Sequence, residues 1–95
     1  MPEIEVSRAD VEQFLSRFLV RVKDGGEVTS HVVTLSGADY ERLGGGYRSP
    51  EAFVEACFGF LLARETKEEI LGSFDVSQIK TYFPEFEAEI DRPVG

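Results

Sequence analysis

The residues that carry most catalytic and metal chemistry are scarce in this chain, which has one cysteine, one histidine and no tryptophan. A single cysteine cannot form a disulfide within the chain, and this is typical of proteins from a reducing compartment. One cysteine and one histidine also fall short of the set of nitrogen and sulfur ligands that a protein zinc site needs. No D-x-D-x-D-G loop is present, so the sequence excludes an EF-hand calcium site. We therefore expect no bound metal and no cofactor.

The lone cysteine and the lone histidine are formally sufficient for a catalytic pair. Cys57, however, lies on the most apolar stripe of a predicted helix, where cysteine behaves as a small buried hydrophobic residue. His31 alternates with valine in a predicted strand, which indicates a structural histidine. Carboxylates are numerous, but their spacing shows no pair with the contrasting environments that acid–base catalysis requires. We assign no catalytic residue and favour a protein that is not an enzyme.

Positive charge is also in short supply, with 10 Lys and Arg residues against 18 Asp and Glu residues and a net charge of -8. Binding to nucleic acid needs clustered Lys and Arg, so the composition argues against a nucleic-acid partner. The acidic excess is concentrated in residues 49–95. An acidic inhibitor that mimics nucleic acid is therefore a minor hypothesis, and a solubilising surface is the simpler interpretation.

No apolar run approaches the length of about 20 residues that a membrane-spanning helix needs. The first residues, MPEIEVSRAD, are acidic and lack the apolar stretch of a signal peptide. Together with the single cysteine, these features predict a cytoplasmic protein without a membrane partner. The sequence has no internal repeat and no long linker, which predicts a single compact domain over residues 1–95.

The clearest element that the sequence does contain is a helix over residues 50–64, within SPEAFVEACFGFLLAR. Ser49 can accept a hydrogen bond from a first-turn amide, and Pro50 suits the first helical position. One helical face carries five apolar or small residues: Phe53, Ala56, Cys57, Phe60 and Leu61. A second stripe beside it consists of Val54, Phe58 and Leu62. Because a helix this apolar is normally covered on more than one side, we expect it to be the centre of the domain.

Two alternating segments, residues 18–23 and 28–35, flank an Asp24-Gly25-Gly26 turn and predict an antiparallel β-hairpin. Residues 4–6 alternate as well and allow a third, N-terminal strand. Residues 8–17 combine helical and strand spacing, and the helical pattern favours a short helix there, with a strand as the alternative. The predicted fold class is α+β, a hairpin packed on a helical array centred on helix 50–64.

Capping signals predict further short helices around the central one. Their N-caps are Ser36, Thr66 and Asp75. The predicted spans are residues 37–43, 67–74 and 76–83, with a last turn in PEFEAEID. The hairpin can cover one stripe of helix 50–64, so the other must be covered by the later helices or by a second subunit.

Three patterns follow the predicted hairpin: FLL-x-R-E at residues 60–65, I-L-x-x-F-D at 70–75 and I-x-x-YFPE at 79–85. With the hairpin segment HVVTLSGADYERLG, these patterns make the chain resemble a family of small bacterial proteins of unassigned function. The resemblance covers roughly residues 18–90. It implies no activity and therefore transfers no functional residues.

The leading functional hypothesis is a non-enzymatic protein-interaction module whose partner is an unknown protein or a second copy of the chain. Aromatic residues beside the run Gly44-Gly45-Gly46 and around Pro84 are the candidate contacts, because tyrosine and phenylalanine are frequent in interfaces. With the neighbouring arginine, they are Tyr40, Tyr47, Arg48, Tyr82, Phe83 and Phe86. Closure of the core is the more common role for the last three, and half-burial at a loop is the alternative for Tyr40 and Tyr47.

A second hypothesis is a small-molecule-binding or enzymatic protein with a pocket between the hairpin and the helices. The residues expected at the mouth of that pocket are His31, Tyr40, Tyr47 and Arg48. Convergence of these side chains on an apolar cavity would support it.

Overall fold

In the computed structural model, the described residues 2–12 and 14–90 form a four-stranded sheet with short helices. The strands are β1 (Glu3–Val11), β2 (Leu15–Asp24), β3 (Glu27–Ser36) and β4 (Ser73–Asp75). The helices are α1 (Gly37–Leu43), α2 (Pro50–Leu62), α3 (Ile79–Tyr82) and α4 (Phe86–Ile90), and a 3-10 turn (Val76–Gln78) precedes α3. This is the predicted α+β class.

The sheet has the strand order β1-β2-β3-β4, in which the first three strands are antiparallel and β4 runs parallel to β3. The β2–β3 turn contains Gly25 and Gly26 at φ values of 61° and 87°. Glycine reaches this left-handed region without the steric penalty that a side chain would add, so the two glycines permit the tight turn. The predicted hairpin and the N-terminal strand are both confirmed, and all three strands are longer than predicted.

The short helix predicted within residues 8–17 is wrong, because β1 continues to Val11 and β2 begins at Leu15. The pairing shifts register between Arg8 and Asp10, which is a β-bulge in β1. Pairing with β2 gives the backbone of this segment hydrogen-bond partners along most of its length. An isolated helix this short is only marginally stable in water, so the strand is favoured. Two residues of the helical pattern, Val11 and Phe14, are consequently left 61% and 75% exposed.

The helix predicted over residues 67–74 is also wrong. Half of its capping box does form, since the Thr66 amide donates to Glu69 Oε1 at 2.8 Å, but only turns follow it. The chain then becomes extended as β4, where Phe74 is buried and pairs with Val33 of β3. Pairing with the edge of β3 holds this segment extended and outweighs its local helical signal.

The other capping predictions are confirmed. Ser36 and Ser49 accept hydrogen bonds from first-turn amides of α1 and α2. The Ser77 amide donates to Asp75 at 3.0 Å, although a 3-10 turn and the single-turn α3 replace the continuous helix predicted there. Helix α2 ends at Leu62 rather than at residue 64, and residue 91 of the predicted last turn lies outside the described residues.

One face of the sheet packs against α2 and forms the core. The strands contribute Phe18, Val20, Val22, Val33, Leu35 and Phe74, and α2 contributes Phe53, Val54, Cys57, Phe58 and Leu61. The line of α2 that meets water contains Glu55 and Gly59. Within the described residues, no helix is both long enough and apolar enough to cross a membrane.

Candidate functional site

Tyr40 and Tyr47, two of the candidate interaction residues, pack inside the chain. Their rings lie 6.0 Å and 5.4 Å from the ring of the buried Phe53, in edge-to-face geometry. The Tyr47 hydroxyl donates a hydrogen bond to the Ile90 carbonyl oxygen at 2.9 Å. Tyr40 thus connects α1 to the core, and Tyr47 connects the loop before α2 and the end of α4 to it.

Phe83 and Phe86 have a similar role on another side of α2. Their ring centroids lie 5.9 Å and 5.1 Å from that of Phe60, and Phe86 is fully buried. The Arg64 guanidinium lies 3.6 Å from the Phe60 ring centroid, which is cation–π geometry. Four of the six candidates therefore close the core, and the segment after Pro84 covers the side of α2 that carries Phe60.

Ion pairs hold this C-terminal segment in place. Arg64 donates to Glu85 at 3.1 Å and also to Glu89, while Arg42 donates to both carboxylate oxygens of Glu87, at 2.8 Å and 3.1 Å. The hydrogen bonds from Arg42 hold the pKa of Glu87 below its usual value. The C-terminal segment thus covers Phe60 of the first stripe, while Val54 and Phe58 of the second stripe are fully buried within the chain and Leu62 is half-buried.

The two remaining candidates, Arg48 and Tyr82, are exposed. Tyr82 is 64% exposed and lies beside a cavity of about 320 Å³ between the end of α2, the following loop and α3. We call this cavity the α2–α3 cleft. It is lined by Leu61, Glu65, Glu69, Ile70, Leu71, Phe74, Gln78, Ile79, Tyr82 and Phe83.

The α2–α3 cleft has an apolar floor and a partly acidic rim. Ile70, Phe74 and Ile79 are buried, whereas Leu71 and Tyr82 are 48% and 64% exposed. Leu71 and Tyr82 flank a cavity that is lined by these buried apolar side chains. The cleft can therefore accept an apolar side chain.

Two carboxylates, those of Glu65 and Glu69, line the cleft. Burial, together with the negative charge of Glu69, raises the pKa of Glu65 above its usual value. One oxygen of Glu69 accepts hydrogen bonds from the Thr66 amide and hydroxyl. Neither carboxylate forms an ion pair with another described residue, so the cleft has unbalanced negative charge.

A second, more open groove of about 490 Å³ lies between the start of β1 and the exposed line of α2. Ile4, Tyr47, Ala56 and Gly59 are among its lining residues. None of the exposed large hydrophobic side chains of the described residues lies in this groove, whereas two of them line the α2–α3 cleft. The cleft is therefore the stronger candidate.

His31 is a buried structural residue that fixes one wall of the cleft. Its Nδ1 lies 2.8 Å from the Leu71 carbonyl oxygen and its Nε2 lies 2.8 Å from the Thr29 hydroxyl. A carbonyl oxygen can only accept, so Nδ1 donates to Leu71, and in the neutral ring Nε2 then accepts from the Thr29 hydroxyl. His31 thus holds the loop that presents Leu71.

The residues expected around a hairpin–helix pocket do not converge. His31 is buried, Tyr40 and Tyr47 contact Phe53, and neither of the two cavities above brings them together with Arg48. Burial raises the pKa of the Cys57 thiol, which is consistent with a packing role. Among the described residues, no group of three or more His, Cys, Asp or Glu side chains is arranged to hold a metal ion.

Sequence reasoning missed Leu71, Glu65 and Glu69 as site residues. In the helix predicted over residues 67–74, Leu71 would share one face with Ile70 and Phe74. Turns and β4 take the place of that helix, and Leu71 is exposed. No local signal brings residues 65–71 next to Tyr82, because this proximity depends on the pairing of β4 with β3.

Comparisons of the chain with protein-family models, with curated proteins and with solved structures found no match. The resemblance to a small bacterial family, drawn from the motifs after the hairpin, accordingly stays a prediction. The α2–α3 cleft is the feature from which a function can be inferred.

Proposed function

We propose that this protein is a non-enzymatic protein-interaction module and that its α2–α3 cleft binds an apolar side chain of a partner protein. The observation that carries the proposal is the position of Leu71 and Tyr82. They are two of the six large hydrophobic side chains exposed in the described residues, and both line one cavity above buried apolar residues. Single exposed hydrophobic residues are ordinary, but a pair around an apolar cavity is typical of an interface hot spot.

The anchoring of the cleft supports the same conclusion. Hydrogen bonds fix the Leu71 loop to β3, from His31 to the Leu71 carbonyl and from the Val32 amide to the Gly72 carbonyl at 2.8 Å. A site whose walls are held in place loses little conformational entropy when a partner binds. Leu71 is therefore displayed on a preorganised surface.

Small-molecule binding is the second candidate, because the cleft volume of about 320 Å³ lies near the lower end of the range of ligand pockets. Mimicry of nucleic acid has weaker support, since Glu85, Glu87 and Glu89 are engaged by Arg64 and Arg42 within the chain. A cytoplasmic location remains part of the proposal, as does a second copy of the chain as one form of the partner.

Affinity capture with matched variants tests the proposal. The tagged chain, its Leu71→Glu variant and its Val28→Glu variant are each incubated with lysate of the cells that naturally express the protein. Leu71 and Val28 are similarly exposed, at 48% and 45%, but only Leu71 lines the cleft. We expect at least one protein that the parent chain and the Val28 variant retain and that the Leu71 variant loses by about tenfold, a loss of about 1.4 kcal/mol in binding.

Thermal melts of the three proteins establish that the variants fold, and Tyr82→Ser provides a second, milder change in the cleft. A set of retained proteins that is the same for the parent chain and both cleft variants would contradict the proposal. If the Val28→Glu variant also failed to retain this protein, binding would not be specific to the cleft, and this result too would contradict the proposal.

A further inference from the structure

The acidic residues of the α2–α3 cleft lie next to its apolar floor. Glu65 and Glu69 line the same cavity as Ile70, Phe74 and Ile79. Glu65 is half-buried, so its carboxylate has lost part of its hydration without gaining a cation from the described residues. Glu69 is exposed. An apolar cavity lined by one half-buried and one exposed carboxylate is complementary to a group that combines apolar and positively charged parts.

The basic side chains next to the cleft in sequence are already engaged elsewhere. Arg64 is directed to Glu85 and Glu89 and stacks on Phe60. Lys67 pairs with Glu68 at 2.6 Å and with Glu27 at 3.6 Å. Within the described part of the chain, these contacts leave the negative charge of the cleft for an external cation to balance.

From this arrangement we infer that the partner presents a lysine or arginine beside the apolar side chain that enters the α2–α3 cleft. The inference rests on the proposed function and specifies the chemistry of the partner segment. The long methylene stems of lysine and arginine cover apolar surface while their charged ends remain at the rim, which suits an apolar cavity with carboxylates at its edge. An acidic segment would place like charges together and be rejected, so the carboxylates also confer specificity.

The raised pKa of Glu65 is in keeping with this arrangement. Burial and the charge of Glu69 disfavour the ionised form in the free protein, and a nearby lysine or arginine would favour it. Binding of a basic segment is therefore expected to lower the pKa of Glu65, which can be followed by NMR of its side-chain carboxyl carbon.

Selection from a phage-displayed library of short random peptides tests the inference. The targets are the full chain, Leu71→Glu, a Glu65→Gln/Glu69→Gln double variant and a Glu41→Gln/Glu55→Gln double variant. The first pair of carboxylates lines the cleft, and the second pair is exposed outside it. Glutamine keeps the shape of glutamate and the oxygen that accepts from Thr66, so the comparison isolates the charge.

We expect a consensus in which an apolar residue neighbours lysine or arginine. A synthetic peptide with this consensus should bind the Glu65→Gln/Glu69→Gln variant about tenfold more weakly than the parent chain and the Glu41→Gln/Glu55→Gln variant with unchanged affinity. Peptides that require Leu71 but carry no basic residue would overturn the inference and leave the proposed function in place. A library that yields no peptide dependent on Leu71 would overturn both.

Discussion

The surroundings of individual carboxylates shift their pKa values in opposite directions. A hydrogen bond from Arg8 at 2.7 Å lowers the pKa of Glu51, and hydrogen bonds from Arg42 lower that of Glu87. Glu65 differs, because burial and Glu69 raise its pKa and no cation offsets them within the described residues. Glu51 and Glu87 stabilise the fold as anions, whereas the charge of Glu65 opposes folding and is available for binding.

The Glu65→Gln variant tests this contrast. Because the pKa of Glu65 is higher in the folded state than in the unfolded state, its ionised form destabilises the fold above the folded-state pKa. The destabilisation disappears as the pH falls below the unfolded-state value of about 4.3. We expect Glu65→Gln to raise the Tm by about 2 °C near neutral pH and to have no effect below about pH 4.

Glu55→Gln is the matched control for this measurement, because Glu55 is exposed and lies outside the cleft. It removes the same charge and so reports the effect of a lower net charge. Equal melting temperatures for the two variants at every pH would contradict the destabilising role of Glu65.

At the scale of elements, the C-terminal helices are secured by side chains from elsewhere in the chain. Helix α4 has five residues, too few to be stable by itself in water. It is held by the burial of Phe86 and Ile90 and by the ion pairs of Arg42 and Arg64. These contacts connect α4 to α1 and to the residue that follows the end of α2.

Arg64→Ala should loosen this segment selectively. The variant loses the ion pairs to Glu85 and Glu89 and the contact with the Phe60 ring, which together should reduce the free energy of unfolding by about 1–2 kcal/mol. We expect faster amide hydrogen exchange in α4, with the sheet core unchanged at low denaturant. Arg21→Ala is the control, since Arg21 is exposed and pairs with no described carboxylate. An equal effect of both variants would contradict a specific role of Arg64 in holding α4.

Local chemistry explains which elements were predictable from the sequence. The caps at Ser36, Ser49 and Asp75 and the Gly25-Gly26 turn act within a few residues, so the sequence reveals them directly. The extended state of residues 73–75 depends on a partner strand about 40 residues away, which no local pattern can show. The cleft also depends on the long-range pairing of β4 with β3, because that pairing leaves Leu71 exposed. Of the residues that line the cleft, the sequence identified only Tyr82 and Phe83 as site residues.

In the molecule as a whole, the burial of α2 within the chain determines which apolar surface stays exposed for binding. The sheet, the glycine-flanking tyrosines and the C-terminal segment bury or half-bury the apolar stripes of α2 within the chain. Cys57 and His31, the rarest reactive residues, are buried as well. Leu71 and Tyr82 remain exposed beside two unbalanced carboxylates, and this combination makes the α2–α3 cleft the centre of the proposed function.

Site-specific photo-crosslinking in the cells that naturally express the protein tests this central claim most directly. A photoreactive amino acid replaces Leu71 in one variant and the similarly exposed Val28 in the other. We predict a discrete crosslinked protein from position 71 that is absent from position 28, and crosslinking of the chain to itself would identify a second copy as the partner. Crosslinks of equal yield from both positions, or none from position 71, would contradict a binding function for the α2–α3 cleft.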